Sequence, residues 1–308
     1  MRKEENRKNY VALFFLAIVI LLSTVACAPS SSSSSGGDII VASKDFTEQD
    51  ILGELLAQQI GSVGLKVDRR PRLGGSFVAH QAIMSGKIDA YVEYTGTAYT
   101  TLLKQPPIPD PQQVYQRTQE AYAQRFNLAV LPPLGFENTF AIIVRGEDAQ
   151  RYNLQTLSQV AQYAPQWRAG FGYEFLERED GYPGLAKAYN LQFAKTPQIM
   201  DLGLIYRALL QKQVDLIAGN STDGQIARLG LTILKDDKGY FPPYEAVPIV
   251  RSQTLMKYPK LRSAIEQLQG KISANEMQRL NYLVEGELRD VKEVVREFLR
   301  SKGLTGKG

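Results

Sequence analysis

The sequence predicts an α/β protein with two lobes of similar design. Within residues 38–94, short apolar runs alternate with stretches in which apolar side chains recur every three or four positions. This β-α-β-α-β order is typical of a largely parallel sheet covered by helices. Residues 168–224 repeat the same order of signals, and a chain of 308 residues is long enough for two such lobes.

Residues 1–27 predict an export signal. Four basic side chains lie within the first nine residues, and an uncharged, mostly apolar stretch of 17 residues, 10–26, follows them. A basic start, an apolar middle and the small residue Ala26 before a cleavage point are typical of a secretory signal peptide. Because about 17 residues is also the shortest length that spans a bilayer, an uncleaved membrane anchor is the alternative.

Cys27 indicates which kind of export signal this is. It is the only cysteine of the chain, so it cannot form an internal disulfide. It ends the apolar stretch and precedes a Ser/Gly tract at 28–37, which behaves as a flexible linker. This arrangement resembles a bacterial lipoprotein signal, although Thr24 stands where that signal usually has leucine. We predict that Cys27 is lipidated and anchors an extracytoplasmic protein to the bacterial cytoplasmic membrane; a chance cysteine in a cleaved signal is the alternative.

Charge and side-chain inventory exclude several classes of function. Residues 1–27 carry four basic and two acidic side chains, so their removal lowers the net charge from +4 to +2. A near-neutral chain without a long basic run argues against a nucleic-acid-binding protein. His80 is the only histidine, which excludes zinc sites and nucleophile pairs built from His and Cys. No phosphate-binding loop or dinucleotide fingerprint occurs. We therefore predict no metal, no cofactor and no enzyme, with His80 a packed or surface residue.

The elements of the first half place one candidate site. They are a strand running into a loop at 38–46, a helix at 47–64 with Thr47 as N-cap, a strand at 65–73, a helix at 77–86 and a strand at 87–94. Ligands bind to such sheets at the carboxyl ends of the strands. The segment EYTGT follows one of these ends. Tyr94 and Thr97 are therefore candidates for a site.

The second half aligns with the first without gaps. The helix-turn-strand unit at 207–223 matches the unit at 81–97, and the alignment pairs Asp89 with Asp215 and Tyr94 with Asn220. Because any helix-turn-strand unit favours such residue types, coincidence is the alternative. A true duplication predicts two lobes, each of which offers one loop to a shared cleft.

Two strand-like segments, 139–145 and 244–250, would then carry the chain between the lobes. We predict a discontinuous lobe 1 and a continuous lobe 2, with these bounds: 38–142 and 246–308 for lobe 1, and 143–245 for lobe 2. The last part of lobe 1 is predicted to be helical. It contains a capping box from Ser273 to Glu276 and an apolar helix face, formed by Val291, Val294, Val295, Phe298 and Leu299.

Six segments resemble those of the osmoprotectant-binding proteins of bacterial ABC importers, in the same order and at similar spacings. They are IVASKDFTEQDIL, GKIDAYVEYTGTA, GFENTFAIIV, GFGYEFLEREDG, NSTDGQI and LKDDKGYFPPYEAVPI. The resemblance covers about 38–303. It implies a type II periplasmic-binding-protein fold, with two α/β lobes joined by two crossings and a ligand cleft between them. It also implies a monomer that delivers glycine betaine, choline, carnitine or a related quaternary amine to an ABC permease and its ATPase.

The resemblance assigns three residues to the carboxylate of such a ligand. Lys44 of SKDFTE and Arg178 of EREDG would bind it from opposite lobes, and Thr97 of YTGT would add a hydroxyl. Lysine, arginine and hydroxyl groups are the usual donors to a carboxylate. The alternatives are a solvated loop lysine and an arginine paired within a charged surface run.

The resemblance also assigns the aromatic walls. A quaternary ammonium has no N–H to donate, so aromatic faces recognise its diffuse charge. Tyr94 and Tyr244 are two such walls, and Phe140 stands where the family commonly has a third tyrosine. Asn220 stands where a fourth tyrosine is common. Its carboxamide offers a donor and an acceptor, which suits a polar ligand group better than a methylated ammonium.

Asn220 therefore leaves the ligand open between a betaine and a different zwitterion, such as an amino acid or a larger betaine like ergothioneine. Tyr173 or Tyr182 could supply another ring. An enzyme using carboxylates such as Glu93 or Asp223 is a competing class, but no spacing singles these residues out. A regulatory lipoprotein without a small ligand is a third class, which the mixture of cations and rings argues against.

Overall fold

Two five-stranded mixed sheets organise residues 39–304, the part of the chain that this computed structural model describes. The predicted export signal, Cys27 and the Ser/Gly linker lie outside these residues. Within 39–304, no helix combines the length and the hydropathy needed to cross a bilayer.

The first sheet and its helices form what we call lobe 1. The strand order is β2-β1-β3-β10-β4, with β1 (Ile39–Ala42), β2 (Val67–Arg70), β3 (Ala90–Tyr94), β4 (Leu128–Val130) and β10 (Ala246–Arg251). Its helices are α1 (Thr47–Gly61), α2 (Ser76–Met84), α3 (Pro111–Phe126), α9 (Ser252–Lys257), α10 (Pro259–Glu266), α11 (Ala274–Glu285) and α12 (Val291–Ser301). A short π-helix, Thr97–Leu102, follows β3. Separate apolar clusters cover the two faces of this sheet.

The second sheet and its helices form lobe 2. The strand order is β7-β6-β8-β5-β9, with β5 (Phe140–Arg145), β6 (Ala169–Phe171), β7 (Gln198–Ile199), β8 (Leu216–Asn220) and β9 (Leu231–Ile233). Its α-helices are α4 (Gly146–Arg151), α5 (Tyr173–Glu177), α6 (Tyr182–Tyr189), α7 (Leu202–Leu210) and α8 (Gln225–Arg228). Two 3-10 turns, Leu157–Gln162 and Ala164–Gln166, precede β6.

The gapless alignment of the two halves corresponds to equivalent positions in the two sheets. β3 pairs parallel with β1 and antiparallel with β10, and β8 pairs parallel with β6 and antiparallel with β5. Tyr94 lies opposite Ala246, and Asn220 lies opposite Phe140. The aligned residues Tyr94 and Asn220 therefore end equivalent strands, as the duplication predicts.

The aligned aspartates also have equivalent partners. Asp89 and Asp215 each accept a backbone N–H from the beginning of the neighbouring parallel strand, at 2.9 Å and 3.0 Å. Arg251 at the end of β10 lies 3.8 Å from the Asp89 carboxylate, and Arg145 at the end of β5 lies 3.1 Å from that of Asp215. The same ion pair thus fixes the end opposite the cleft in both sheets.

The chain passes between the sheets in segments 131–139 and 234–245, which meet in an antiparallel bridge between Glu137 and Glu245. The strand-like segment at 139–145 is mostly β5, whose residues pair within the second sheet. The boundary predicted between 142 and 143 therefore falls inside a strand. The apolar residues of β5 pair with β8 and β9 of the second sheet. The chain crosses between the lobes in the preceding segment, 131–139, which contains two prolines and a glycine.

Some local predictions are confirmed and others are wrong. The capping box of Ser273 and Glu276 is present, and α12 buries its apolar face. Thr47 is not the N-cap of α1, because Phe46 takes that position in extended conformation and no side chain caps the helix. The pattern of residues 168–175 is that of a strand running into a loop, and the structure has the strand β6 there, followed by the short helix α5 in place of the loop.

His80 is a packed histidine, as predicted. It is 6% exposed, and its ring lies 5.5 Å from that of Tyr122 and 5.0 Å from that of Phe126. Burial lowers the pKa of this imidazole. His80 is therefore a neutral core side chain of lobe 1.

Candidate ligand-binding site

A cavity of about 60 Å³ lies between the lobes, at the ends of β3 and β8. Its lining includes all seven residues predicted to bind ligand: Lys44, Tyr94, Thr97, Phe140, Arg178, Asn220 and Tyr244. Each of them lies at or close to the end of a strand or helix, because loops from both sheets meet here. The structure thus brings the predicted residues together, and their role as ligand contacts stays a prediction.

The lobes are in contact around this cavity. The Glu174 carboxylate accepts the backbone N–H of Ser76 at 2.5 Å, and the Tyr173 hydroxyl donates to Asp45 at 3.1 Å. These two contacts join α5 of lobe 2 to the first residue of α2 and to the loop after β1 in lobe 1. In this closed arrangement of the lobes the cavity between them is small.

Lys44 is completely buried and already paired. Its Nζ lies 2.5 Å from the Glu93 carboxylate and 3.2 Å from the Ser76 hydroxyl, and 4.5 Å from the centroid of the Tyr94 ring. An ammonium group has three N–H donors, so one of them remains for a ligand. Lys44 is therefore not the solvated loop lysine of the alternative, because it is buried and paired with Glu93 of β3.

Arg178 is the second buried cation of the cavity. It forms a bidentate ion pair with Asp180 at 2.6 and 2.8 Å, and its Cζ lies 4.8 Å from the centroid of the Phe140 ring. Burial works against this charge, but the hydrogen bonds and the charge of Asp180 outweigh it and raise the pKa of Arg178. Arg178 also donates to the Thr97 hydroxyl at 3.0 Å. The hydroxyl hydrogen of Thr97 is then free to face a ligand carboxylate.

Asp180 links the two lobes, and sequence reasoning missed it. Its carboxylate accepts the Thr101 hydroxyl at 2.9 Å and the Tyr244 hydroxyl at 2.7 Å, both from the lobe 1 side of the cleft. Burial alone would raise the pKa of Asp180, but Arg178 and these hydroxyl groups lower it. Its position in the charged run EREDG gave no signal that this carboxylate is buried.

Sequence reasoning also missed Glu48, which accepts a hydrogen bond from Tyr94, the other tyrosine of the cavity. Its buried carboxylate accepts the Tyr94 hydroxyl at 2.6 Å and the Thr222 hydroxyl of lobe 2 at 2.5 Å. It also accepts both Asn138 and Asn281 side-chain amides, at 2.9 and 3.0 Å. Burial raises the pKa of Glu48 in spite of these four bonds. Both tyrosine walls therefore donate their hydroxyl groups to buried carboxylates.

Gly96, the glycine of EYTGT, lies where a larger residue would not fit. The ring of Tyr244 packs directly against it, and a Cβ at this position would lie 2.5 Å from a ring carbon of Tyr244. The glycine thus allows the crossing segment before β10 to bring Tyr244 against the loop that follows β3.

Asn220 lines this cavity and also a second one of about 130 Å³. Its backbone N–H donates to Asp223 at 2.9 Å, and the Tyr206 hydroxyl donates to the same carboxylate. Burial, with smaller contributions from the Glu285 and Glu48 carboxylates, raises the pKa of Asp223 to about 7. The cavity lining is therefore polar at Asn220, and acidic side chains, among them Glu48, Asp223 and Glu285, line the second cavity.

Of the two further tyrosines that could supply a ring, one lines the cavity and the other does not. Tyr173 lines the cavity, whereas Tyr182 does not and packs against the Phe171 ring at 5.1 Å. Phe46 and Phe175 also line the cavity, and the sequence did not single them out. Among residues 39–304, no group of three or more His, Cys, Asp or Glu side chains could hold a metal ion.

A family model described as the substrate-binding domain of ABC-type glycine betaine transport systems matches residues 37–301. The chain belongs to this family. It is 39% identical over 257 residues to the carnitine transport binding protein OpuCC of Listeria monocytogenes, which covers 82% of this chain and 83% of that protein. It is 37% identical over 268 residues to the ergothioneine transport permease/ergothioneine binding protein EgtU of Helicobacter pylori, covering 86% of this chain but 48% of that protein.

Solved structures agree on the fold. A glycine betaine/carnitine/choline ABC transporter structure superposes with a TM-score of 0.72 at 35% identity, over 87% of this chain and 100% of that one. Apo YehZ of Escherichia coli gives 0.64 at 30% identity, over 88% and 100%. The predicted type II periplasmic-binding-protein fold is confirmed. The family consists of extracytoplasmic transport binding proteins, so an ABC permease is the expected partner class of this chain.

Proposed function

We propose that this protein captures a quaternary amine of the betaine type, such as glycine betaine or carnitine, and delivers it to its permease. The observation that carries the proposal is one interlobe cavity that joins three aromatic walls with two buried cations. Each wall contributes about 0.5–2 kcal/mol of cation–π attraction when the ammonium is desolvated. The names of the relatives, which include carnitine and glycine betaine, support this class of ligand.

The cavity suggests how such a zwitterion is oriented. Arg178, the third N–H of Lys44 and the hydroxyl hydrogen of Thr97 provide donors for its carboxylate. The ammonium then faces the rings of Tyr94 and Tyr244, whose hydroxyl groups donate to carboxylates and so make the rings more electron-rich. A bound ligand would contact both lobes and thereby stabilise the closed arrangement.

A second candidate is a zwitterion with an extra N–H or hydroxyl group. Asn220 lines both cavities, and Asp223 lies in the second, so a larger ligand would find an acceptor beyond the aromatic walls. The ergothioneine-binding relative supports this alternative. Under this proposal the ammonium keeps the same walls, and the additional group points towards Asn220.

Thermal shift and titration calorimetry on the purified protein test both candidates. The panel is glycine betaine, carnitine, proline betaine, choline, ergothioneine and common amino acids. We expect stabilisation by a betaine, and weaker binding of choline because it lacks the carboxylate. Tighter binding of ergothioneine than of glycine betaine would favour the second candidate. No stabilisation by any member of the panel would refute the function.

Four further features belong to the proposal. Cys27 is acylated, so Cys27→Ser should move the protein from the membrane fraction to the soluble fraction. The ligand is not turned over, so mass spectrometry should recover it unchanged. The protein is a monomer, which light scattering checks. The lobes move as two bodies about the crossing segments 131–139 and 234–245, so ligand should reduce the radius of gyration in small-angle scattering.

A further inference from the structure

Glu93 is a buried carboxylate that lies beside the cavity without lining it. Its side chain is 0% exposed, and it is not among the residues that form the cavity wall. Its Oε1 lies 2.5 Å from the Lys44 ammonium and accepts the backbone N–H of Tyr94 at 2.9 Å. Its Oε2 has no hydrogen-bond partner within residues 39–304. Glu93 therefore acts on a ligand only through Lys44.

The equivalent position of lobe 2 has no carboxylate. The alignment of the two halves pairs Glu93 with Gly219, and each lies one residue before the end of its strand. This strand end can thus be built without any side chain. Stability does not account for the Lys44–Glu93 pair either, because replacing a buried ion pair with neutral groups of similar size is often neutral or stabilising. The pair therefore indicates a role in binding.

Lys44 would repel the ammonium of the ligand if its charge were not cancelled. Its Nζ lies 4.5 Å from the centroid of the Tyr94 ring, and the proposed function places the ligand ammonium against the same ring. Two positive charges this close repel each other strongly inside a protein, where water screens them little. The Glu93 carboxylate, 2.5 Å from Nζ, cancels most of this repulsion. Tyr94 can then receive the cation of the ligand while Lys44 donates to its carboxylate.

The second cation of the cavity is neutralised in the same way. Arg178 is paired with the buried carboxylate of Asp180, which, like that of Glu93, does not line the cavity. The carboxylates of Asp45 and Glu174 do line it. The described residues around the cavity therefore carry no net positive charge. A ligand that is only an anion would be buried there without a counter-charge, which weakens its binding.

We infer that Glu93 determines the charge type of the ligand: it cancels the charge of Lys44, makes binding depend on the cationic group of the ligand and excludes simple carboxylates. Without Glu93, the charge of Lys44 would attract any carboxylate and repel an ammonium beside Tyr94. The inference rests on the proposed function and names, within it, the residue that selects zwitterions over anions. Glu93 is a positioning residue in this role, because it acts through Lys44.

Three ligands of similar size and different charge test the inference by titration calorimetry. Glycine betaine is the zwitterion, tert-butylacetate has a carbon atom in place of its nitrogen and is an anion, and choline is a cation. The variant Glu93→Gln keeps the shape of the side chain, and its amide oxygen can still accept from Lys44 and from the Tyr94 backbone. A ligand carboxylate then becomes the counter-ion of Lys44 and keeps it charged.

The expected result is a change in selectivity. In Glu93→Gln the affinity for tert-butylacetate should rise relative to that for glycine betaine by at least about tenfold, because only the zwitterion carries a group that Lys44 repels. The affinity for choline should fall for the same reason. A purely structural role of Glu93 would weaken all three ligands alike and leave the affinity ratios unchanged.

Two further variants separate charge from stability. Glu54→Gln is the matched control, since Glu54 is 7% exposed and paired with Arg69 at 2.6 Å but does not line the cavity. Its affinity ratios should stay within about twofold of wild type. The double variant Lys44→Met/Glu93→Gln removes both charges, so it should fold even where Glu93→Gln does not. It should bind both carboxylate ligands more weakly but with the wild-type ratio, because neither charge remains.

Three results would overturn the inference: unchanged ratios in Glu93→Gln, an equal change in Glu54→Gln, or a double variant whose ratio departs from that of the wild type. In each of these cases, binding of glycine betaine by the wild-type protein would leave the proposed function intact. If the wild-type protein bound no zwitterion, the proposed function and the inference would both fail.

Discussion

The substitution Asp180→Asn should destabilise the protein strongly, because it leaves a buried arginine without its counter-ion. Arg178 is 4% exposed and pairs with Asp180 through two hydrogen bonds. Breaking a buried ion pair from one side costs about 3–5 kcal/mol. The Glu174 carboxylate stays 3.8 Å from Arg178, so we expect a loss near 3 kcal/mol of unfolding free energy. In a chain of this size that corresponds to a fall in Tm of about 6–12 °C.

Glu179→Gln is the matched control. It removes the same charge at the neighbouring position, but Glu179 is exposed, so unfolding free energy should change by less than about 0.5 kcal/mol. Urea unfolding and calorimetry measure both variants. A loss below about 1 kcal/mol for Asp180→Asn, or equal losses for the two variants, would show that Asp180 is not the counter-ion of a buried charge.

The pH dependence gives an independent check. Arg178 and the hydroxyl donors lower the pKa of Asp180 in the folded state. A carboxylate with a lowered pKa stabilises the fold above its ordinary value of 3.8, and this stabilisation is lost as pH falls through the lower folded value. The difference between wild type and Asp180→Asn should therefore be constant at neutral pH and shrink in acid. A difference that grows in acid would contradict the assignment.

Three further predictions concern the cavity. Tyr94→Ala should weaken betaine binding by at least a few-fold, consistent with about 0.5–2 kcal/mol for one ring. The control Tyr182→Ala lies outside the cavity and should leave the affinity measured by calorimetry unchanged. Equal effects of the two substitutions would show that Tyr94 is a packing residue and not a ligand contact. Asn220→Tyr should tighten glycine betaine binding, and an unchanged or weaker affinity would show that Asn220 is not the fourth wall. Burial raises the pKa of Asp223 from 3.8 to about 7, so the free energy of unfolding should fall as pH rises between these values. Asp223→Asn should remove this pH dependence, which urea unfolding at several pH values measures. The same pH dependence in the variant and the wild type would contradict the assignment to Asp223.

The strands, the helices and the duplicated loops could be predicted from the sequence because their signals are local. The apolar periodicity of α12 and the capping box at Ser273 lie within a few turns of the chain. Tyr94 and Asn220 could be placed at strand ends because equivalent units align without gaps. The resemblance to a known family supplied what local patterns could not, namely that these ends share one cleft.

The carboxylates behind the tyrosines could not be predicted in the same way. Glu48 lies in the first turn of α1, where an acidic side chain ordinarily faces solvent and the helix dipole. Its four hydrogen-bond donors lie 46 to 233 positions away along the chain. Asp180 is likewise buried only because the π-helix after β3 and Tyr244 close over it. Such burial is a property of the assembled lobes and has no signature in a short segment.

The cations that lie over the aromatic rings have a consequence for binding at high ionic strength. Lys44 and Arg178 lie over the rings of Tyr94 and Phe140 and are shielded from solvent. At 1 M salt the screening length in water is about 3 Å, so interactions between exposed charges are largely screened. Interactions of buried charges are screened much less. The affinity for a zwitterion should therefore be nearly the same in molar salt as in dilute buffer, and calorimetry at both salt concentrations can measure it.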